Sequence, residues 1–336
     1  MNRKSFPSLL LLTLLISCSL PNVTITQATE TPAPLTPTVT PPPPLPTAEF
    51  GLAENPVILA LAPSSNSPGQ INAAKALAEQ FTQRTGHVVV TVVPDSQAAL
   101  VDALENGNAH IVLLDPLTYA LAYQKELVNA SYAVVVENQT TYGAQFIASR
   151  KIGFKPYFDE LTQTNTADAS VALAQFADKK PCWSEETSPS GYIIPLGFLN
   201  ANQIITRPAA FVQGHPTVVR SLYVGGICDF GATYVDARKF PSLEDQYPDL
   251  MEQVIVVWRV PDIIPYSLLA ISADMPQDMR DQFVNAVPAI MQTDDGKAAF
   301  KSAYAIDELV PVNDAYYEDF REYMDQSRID LSTLVK

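Results

Sequence analysis

Cys182-Trp183-Ser184-Glu185-Glu186-Thr187-Ser188-Pro189-Ser190-Gly191-Tyr192-Ile193-Ile194-Pro195 reads as the end of an apolar strand, a polar loop and the opening of a helix. The strand covers Lys180 to Trp183, and the helix runs from about Gly191 to Asn200. A helix start exposes backbone N–H groups and the positive end of the aligned peptide dipoles. Ser188 and Ser190 stand just before it. Their hydroxyls either cap those N–H groups or join them around a bound anion.

The same strand–loop–helix order recurs upstream. Val57 to Ala62 is a buried-strand run closed by Pro63-Ser64-Ser65-Asn66. Ile71 to Arg84 places Ile71, Ala74, Leu77, Ala78 and Phe81 on one helical face, and Gly86 ends it. Val88 to Val93 is β-branched and strand-like. Ser96 caps a helix from Gln97 to Glu105. Ile111 to Leu114 is a strand, after which Asp115 caps a helix that begins with Pro116. Strands follow at Tyr132 to Val136 and Ala144 to Ala148.

Downstream, the pattern predicts a helix over Asp168–Ala177 and another from Pro216 to Val224. Strands are expected at Gly226–Thr233, Val254–Trp258 and Ser267–Ser272, the last returning to the first unit. Helices over Gln277–Met291, Lys297–Tyr304 and Asn313–Asp325 complete the chain. Alternating strands and helices imply parallel β-α-β units, hence an α/β fold. Such sheets bind ligands outside the carboxyl ends of their strands. Pro63–Gln70, Asp115–Tyr119 and Cys182–Pro195 are therefore the candidate loops.

The N-terminus points to a compartment. Arg3 and Lys4 precede an apolar run, Leu9 to Ile16, too short to span a bilayer. Leu15-Ile16-Ser17-Cys18 looks like a bacterial lipobox, which makes residues 1–18 a lipoprotein signal peptide and Cys18 the lipidated residue. An ordinary signal peptide with an incidental cysteine is the plainer alternative. Residues 19–53 read as a Pro/Thr-rich disordered tether, extended as polyproline II around Pro41-Pro42-Pro43-Pro44. No later stretch is long and apolar enough to span a membrane. Formal charge is −15, and −17 once Arg3 and Lys4 are lost. That balance argues against a nucleic-acid partner, which needs clustered Lys and Arg. With Cys18 lipidated, Cys182 and Cys228 are left either as a disulfide in an oxidising exterior or as two buried thiols.

Three patches resemble the substrate-binding proteins of phosphate, phosphite and phosphonate ABC importers. Asp115-Pro116-Leu117-Thr118-Tyr119 is similar to that family's Gly-Pro-x-Ser-Tyr. Ser188-Pro189-Ser190-Gly191-Tyr192-Ile193-Ile194-Pro195 is similar to its Ser-Thr-Ser-Gly-Tyr-x-x-Pro. Gln213-Gly214-His215 followed by Cys228-Asp229-Phe230-Gly231-Ala232 resembles its Gly-Ser-His and Val-Asp-Ala-Gly-Ala. The resemblance covers roughly Val57 to Ala305. It implies a two-lobed periplasmic-binding-protein type II fold, with mostly parallel sheets and a cleft between the lobes. Residues 54–144 and 261–336 form lobe 1 on this reading, and residues 145–260 form lobe 2. It also implies ligand binding by Tyr119, Ser188, Ser190, Gly191, His215 and Asp229. All of these but Asp229 supply the hydrogen-bond donors that an oxyanion requires, whereas an anionic Asp229 would need a protonated ligand oxygen or a ligand amine. Two positions depart from the family. Pro189 replaces a Thr and removes a hydroxyl and an N–H. Asp115 replaces a Gly, and would repel a dianion if it faced the cleft instead of capping a helix.

The expected function is an extracytoplasmic, lipid-anchored receptor on the outer face of the membrane. It would bind a phosphonate-like oxyanion and dock on an ABC permease, with no cofactor, no metal and no covalent chemistry. The rivals are a sensory or scaffold lipoprotein signalling to a membrane kinase, and a receptor for a non-phosphorus ligand. A hydrolase would use Ser190, His215 and Asp229, but Gly-x-Ser-x-Gly is absent. Tyr316-Tyr317 resembles the tyrosine pairs of ferric-ion receptors, against an ordinary amphipathic helix. His87 and His110 are expected on the solvent side. Trp183 and Trp258 either line a cleft or pack at a lobe junction.

Overall fold

The computed structural model describes residues 48–63 and 66–336; the lipobox, Cys18 and most of the tether lie outside the described residues. The chain opens with β1 (Val57–Ala60), α1 (Pro68–Thr85), β2 (Val89–Val92), α2 (Gln97–Glu105), β3 (Ile111–Leu114), α3 (Pro116–Gln124) and β4 (Val128–Val134). Local chemistry sets these boundaries. Ser67 and Gln70 form a capping box, so α1 begins at Pro68, a turn before the periodic apolar face suggests. Gly86, at φ 77°, ends it in the left-handed region that glycine tolerates. Ser96 accepts from the Ala99 N–H to cap α2, and Asp115 accepts from Leu117 and Thr118 to cap α3.

The chain then crosses through β5 (Thr141–Tyr142) into β6 (Ala144–Ser149). A hairpin of β7 (Phe158–Asp159) and β8 (Thr164–Asn165) precedes α4 (Ala169–Leu173), β9 (Pro181–Trp183) and α5 (Ile194–Ala201). Next come β10 (Ala210–Phe211), α6 (His215–Val224), β11 (Phe230–Tyr234), α7 (Pro241–Gln246), α8 (Leu250–Gln253) and β12 (Val254–Arg259). The return runs through β13 (Ile264–Pro265) and β14 (Leu268–Ser272) to α9 (Gln277–Met291), α10 (Asp294–Tyr304), β15 (Leu309–Pro311) and α11 (Glu318–Ser327).

Two sheets result, ordered β15-β4-β14-β3-β1-β2 and β10-β9-β11-β6-β12. Most strands of each run one way, four of six and four of five. The ladders are nonetheless mixed, because β14, β15 and β6 run against their neighbours. The two crossings between sheets lie side by side, with β5 antiparallel to β13 and Tyr142 opposite Ile264. This ribbon could not be foreseen from alternation, being only two residues long on each side.

Against the first sheet, α1 and α9 bring Phe81 and Phe283 to 5.7 Å between ring centroids. In the second, Phe176 stacks on Phe230 at 4.0 Å, beside Phe146 and Trp258. Each such buried side chain contributes about 1.5–3 kcal/mol by leaving water. Trp258 is in this core, its indole N–H donating to the Ala167 carbonyl at 3.0 Å, and Trp183 is buried too. His110 is also buried, contrary to the solvent-side expectation. Its Nδ1 accepts the Ile58 N–H at 2.9 Å, and burial lowers its pKa.

The C-terminal segment bridges the two sheets. It leaves β15 on the edge of the first sheet, and the Asp314 carboxylate accepts from Tyr119 Oη and the Ala130 N–H. It then lays α11 on α5, where Tyr323 stacks on Phe198 at 3.6 Å. Asn200 donates to the Gln326 and Ser327 carbonyls. Within the second sheet, Cys182 on β9 and Cys228 before β11 are joined as a disulfide, with Cα atoms 5.6 Å apart.

Candidate functional site

Ser184, just past β9, organises the site through its backbone. Pro195 has no N–H to offer the Gly191 carbonyl, as an α-helix would require. That carbonyl instead accepts from the Ser184 N–H at 3.3 Å. The Ser184 carbonyl accepts from Gln213 and Gly214, which pins the start of α6 beside the serine turn. Between the two prolines, residues Pro189–Ile193 form a wide π-helical turn that runs on into α5. Such turns place backbone in unusual register and recur at functional sites.

Inside this arrangement, Ser188 Oγ accepts from the Gly191 N–H at 3.0 Å, so Ser188 caps its helix. The same oxygen lies 3.4 Å from His215 Nε2. His215 Nδ1 accepts the Tyr234 N–H at 3.3 Å. Nδ1 is therefore the bare nitrogen and Nε2 carries the proton of the neutral ring. Burial lowers the His215 pKa to about 4, which keeps the ring neutral near pH 7. A Cβ on Gly191 would overlap the Ser184 hydroxyl and touch the His215 ring, so glycine is the residue that lets these pieces close up. The Ser184 hydroxyl itself is buried without a partner among the described residues.

Ser190 and His215 open into a cavity of about 720 Å³ between the two sheets. Its first-sheet side comprises Leu113, Pro116, Val134, Tyr304 and Ile306; its second-sheet side includes Pro189, Tyr234 and Val235. Tyr142 and Tyr266, from the two crossings, line it as well, with rings 5.0 Å apart. Burial pushes the Tyr142 phenol up to about 12. Glu137 lies at the rim. The loop that carries Tyr234 and Val235 is anchored behind the cavity. Buried Arg238 donates to both oxygens of Asp236 and to the Glu160 carboxylate. Burial alone would raise the Asp236 carboxyl, but the guanidinium holds it below the usual range.

The structure thus brings together Ser188, Ser190, Gly191 and His215. It does not bring Tyr119 or Asp229 to them. Tyr119 is fully buried in α3, where its hydroxyl donates to Asp314 and accepts from Arg321. Burial drives its pKa well above the ordinary phenol value. Its place is that of a post holding the C-terminal segment. Asp229 accepts from the Lys180 N–H at 2.8 Å, at the amino end of β9. The ligand end of a parallel strand is the carboxyl end, so Asp229 is on the wrong side of the sheet. With it remote and His215 Nδ1 held by a backbone N–H, no Ser–His–Asp relay forms. Asp115 is a cap, and Thr118 Oγ1 also donates to it at 2.9 Å. Tyr316 is half-exposed while Tyr317 is buried edge-on against Tyr119, so the two do not face a common point.

Sequence reading missed Tyr142, Tyr234, Tyr266 and Ser184. Tyr142 and Tyr266 sit on the crossings, and only their recurrence at the two lobe junctions could have signalled them.

The family described as ABC transporter, phosphonate, periplasmic substrate-binding protein matches residues 59–317. The phosphate-import protein PhnD of Mycolicibacterium smegmatis is 22% identical over 301 residues, spanning 84% of this chain and 88% of that protein. Among solved structures, XAC2383 from Xanthomonas citri bound to ATP aligns with a TM-score of 0.58 at 13% identity, over 83% of this chain and 99% of that one. The same protein bound to chloride ion gives 0.57 at 14% identity, over 81% and 97%. These two likenesses show the fold, a two-lobed mixed α/β architecture.

Proposed function

Because this chain belongs to the family of periplasmic substrate-binding proteins of phosphonate ABC transporters, a family of solute carriers and not of enzymes, we propose that it is a lipid-anchored receptor delivering a small oxyanion-bearing solute to a permease. The observation that carries the ligand reading is the meeting of Ser190 and the Nε2 side of His215 at one end of the intersheet cavity. Both offer neutral donors, next to the start of a helix, where an anion is favoured. The similarity to the mycobacterial phosphate-import protein supports the same chemistry.

On this reading Cys18 carries the lipid and residues 19–53 are the spacer that holds the receptor off the outer face of the membrane. Residues 54–144 with 261–336 form one lobe and residues 145–260 the other, with α11 of the former strapped onto the latter. Ligand draws the lobes together about the β5–β13 ribbon, a hinge closure of the usual kind. Docking on the permease follows closure.

Thermal-shift measurement with phosphate, phosphite, methylphosphonate, 2-aminoethylphosphonate and sulfonates tests the ligand class. A ligand at a hundred times its Kd stabilises by about 2.7 kcal/mol, an easily read shift. A melt moved by some other class and by no phosphorus oxyanion would remove the ligand assignment. For the anchor, Cys18→Ala is expected to release the protein from the membrane fraction.

A further inference from the structure

The charge and surface of the cavity constrain its ligand more narrowly than the family does. Among the described residues no Lys or Arg lines it, His215 is neutral, and the one charged lining residue, Glu137, is negative. A dianion taken into such a site loses hydration with no cation to replace it. A single negative charge is different, because Ser190, His215 Nε2–H and helix N–H groups can hold it with neutral donors. The rest of the wall is aromatic and aliphatic. Tyr142 and Tyr266 present rings 5.0 Å apart and inclined by 30°. Tyr234 adds a third ring, edge-on to His215 at 4.8 Å. Among the described residues, the Tyr234 and Tyr266 hydroxyls have no protein hydrogen-bond partner, so each has a polar tip to offer a solute. A volume of about 720 Å³ is of the size that holds whole organic molecules, and a bare tetrahedral ion fills little of it.

We infer that the cleft takes an organic solute with an aromatic ring and no more than one negative charge, its head at Ser190 and His215 and its ring against Tyr142 and Tyr266. This deepens the receptor reading and rests on it for the position of the site. Flat rings stack favourably on tyrosine faces, and that contact is denied to inorganic phosphate and to small alkyl phosphonates.

Titration calorimetry on the full chain in detergent, at pH 7.5, separates the possibilities with four probes. They are the monomethyl ester of phenylphosphonate, the monomethyl ester of methylphosphonate, benzenesulfonate and inorganic phosphate. The first two each carry one negative charge and differ in the ring. We expect the phenyl compound to bind at least tenfold more tightly than the methyl one. In the Tyr142→Ala/Tyr266→Ala variant that preference should vanish while the melt stays cooperative. Because Glu137 is exposed, Glu137→Lys should fold normally and gain at least tenfold for phosphate. Benzenesulfonate binding with no phosphorus ester bound supports the ring inference and overturns the phosphorus reading above. Phosphate binding as tightly as the phenyl ester overturns the ring inference and leaves the receptor reading standing. So does the absence of binding by both ring-bearing probes if either of the other two binds, and silence from all four overturns both.

Discussion

At the scale of single residues, His215 shows how a functional group is tuned by what surrounds it. Its folded pKa of about 4 lies below the ordinary 6.5, so the native state binds the proton less well than the unfolded chain. Stability from this group is therefore full above pH 6.5, falls as the pH drops toward 4, and is gone below that. The total is on the order of 3 kcal/mol, from roughly 1.36 kcal/mol per pKa unit. His215→Gln should flatten this limb, read as the difference in Tm between variant and parent at pH 7 and pH 4.5. A parent and variant that lose Tm in parallel would remove His215 from the acid response. The residue was singled out in the sequence through Gln213-Gly214-His215, as were Ser188 and Ser190, and the fold brings the three together. Tyr119 and Asp229 were not correctly placed, because a motif fixes residue order and not the direction of a side chain. One hydroxyl points into a helix-packed core, and one carboxylate turns back on Lys180 at the wrong end of its strand.

At the scale of elements, periodicity located nearly every long helix and strand. It failed where an element is two residues long, as in β5 and β13, or where a capping box starts a helix ahead of its apolar face, as in α1. The contact of α5 with α11 had no sequence signal, since nothing in either helix names its partner. Gly197 makes that contact possible, because a Cβ there would overlap the Tyr323 carbonyl. Backbone cannot swing aside as a side chain can. Gly197→Ala should cost about 1–3 kcal/mol, the usual range for overpacking. It should also speed amide exchange selectively in Glu318–Ser327. Unchanged exchange there would mean that the strap does not rest on this close approach.

For the whole molecule, the disulfide spans 46 residues of the second sheet's unit. Closing a loop of that length stabilises by roughly 4 kcal/mol in the chain-entropy account. Reductant should therefore lower Tm in the parent and leave a Cys182→Ala/Cys228→Ala variant unmoved; equal shifts in both would sink the claim. A further consequence follows from the order of strands in the first sheet. Its central strand β14 comes from residues 268–272, yet lies between β3 and β4. A chain emerging amino end first thus exposes unpaired edges on β3 and β4 until roughly its last fifth appears. The second sheet has no such wait, since all five of its strands lie within residues 144–259. The sheet second in sequence is the first able to complete itself, and the sheet begun first is finished last. A chain that folds as it emerges therefore passes through a half-built sheet that must be kept from pairing with other chains.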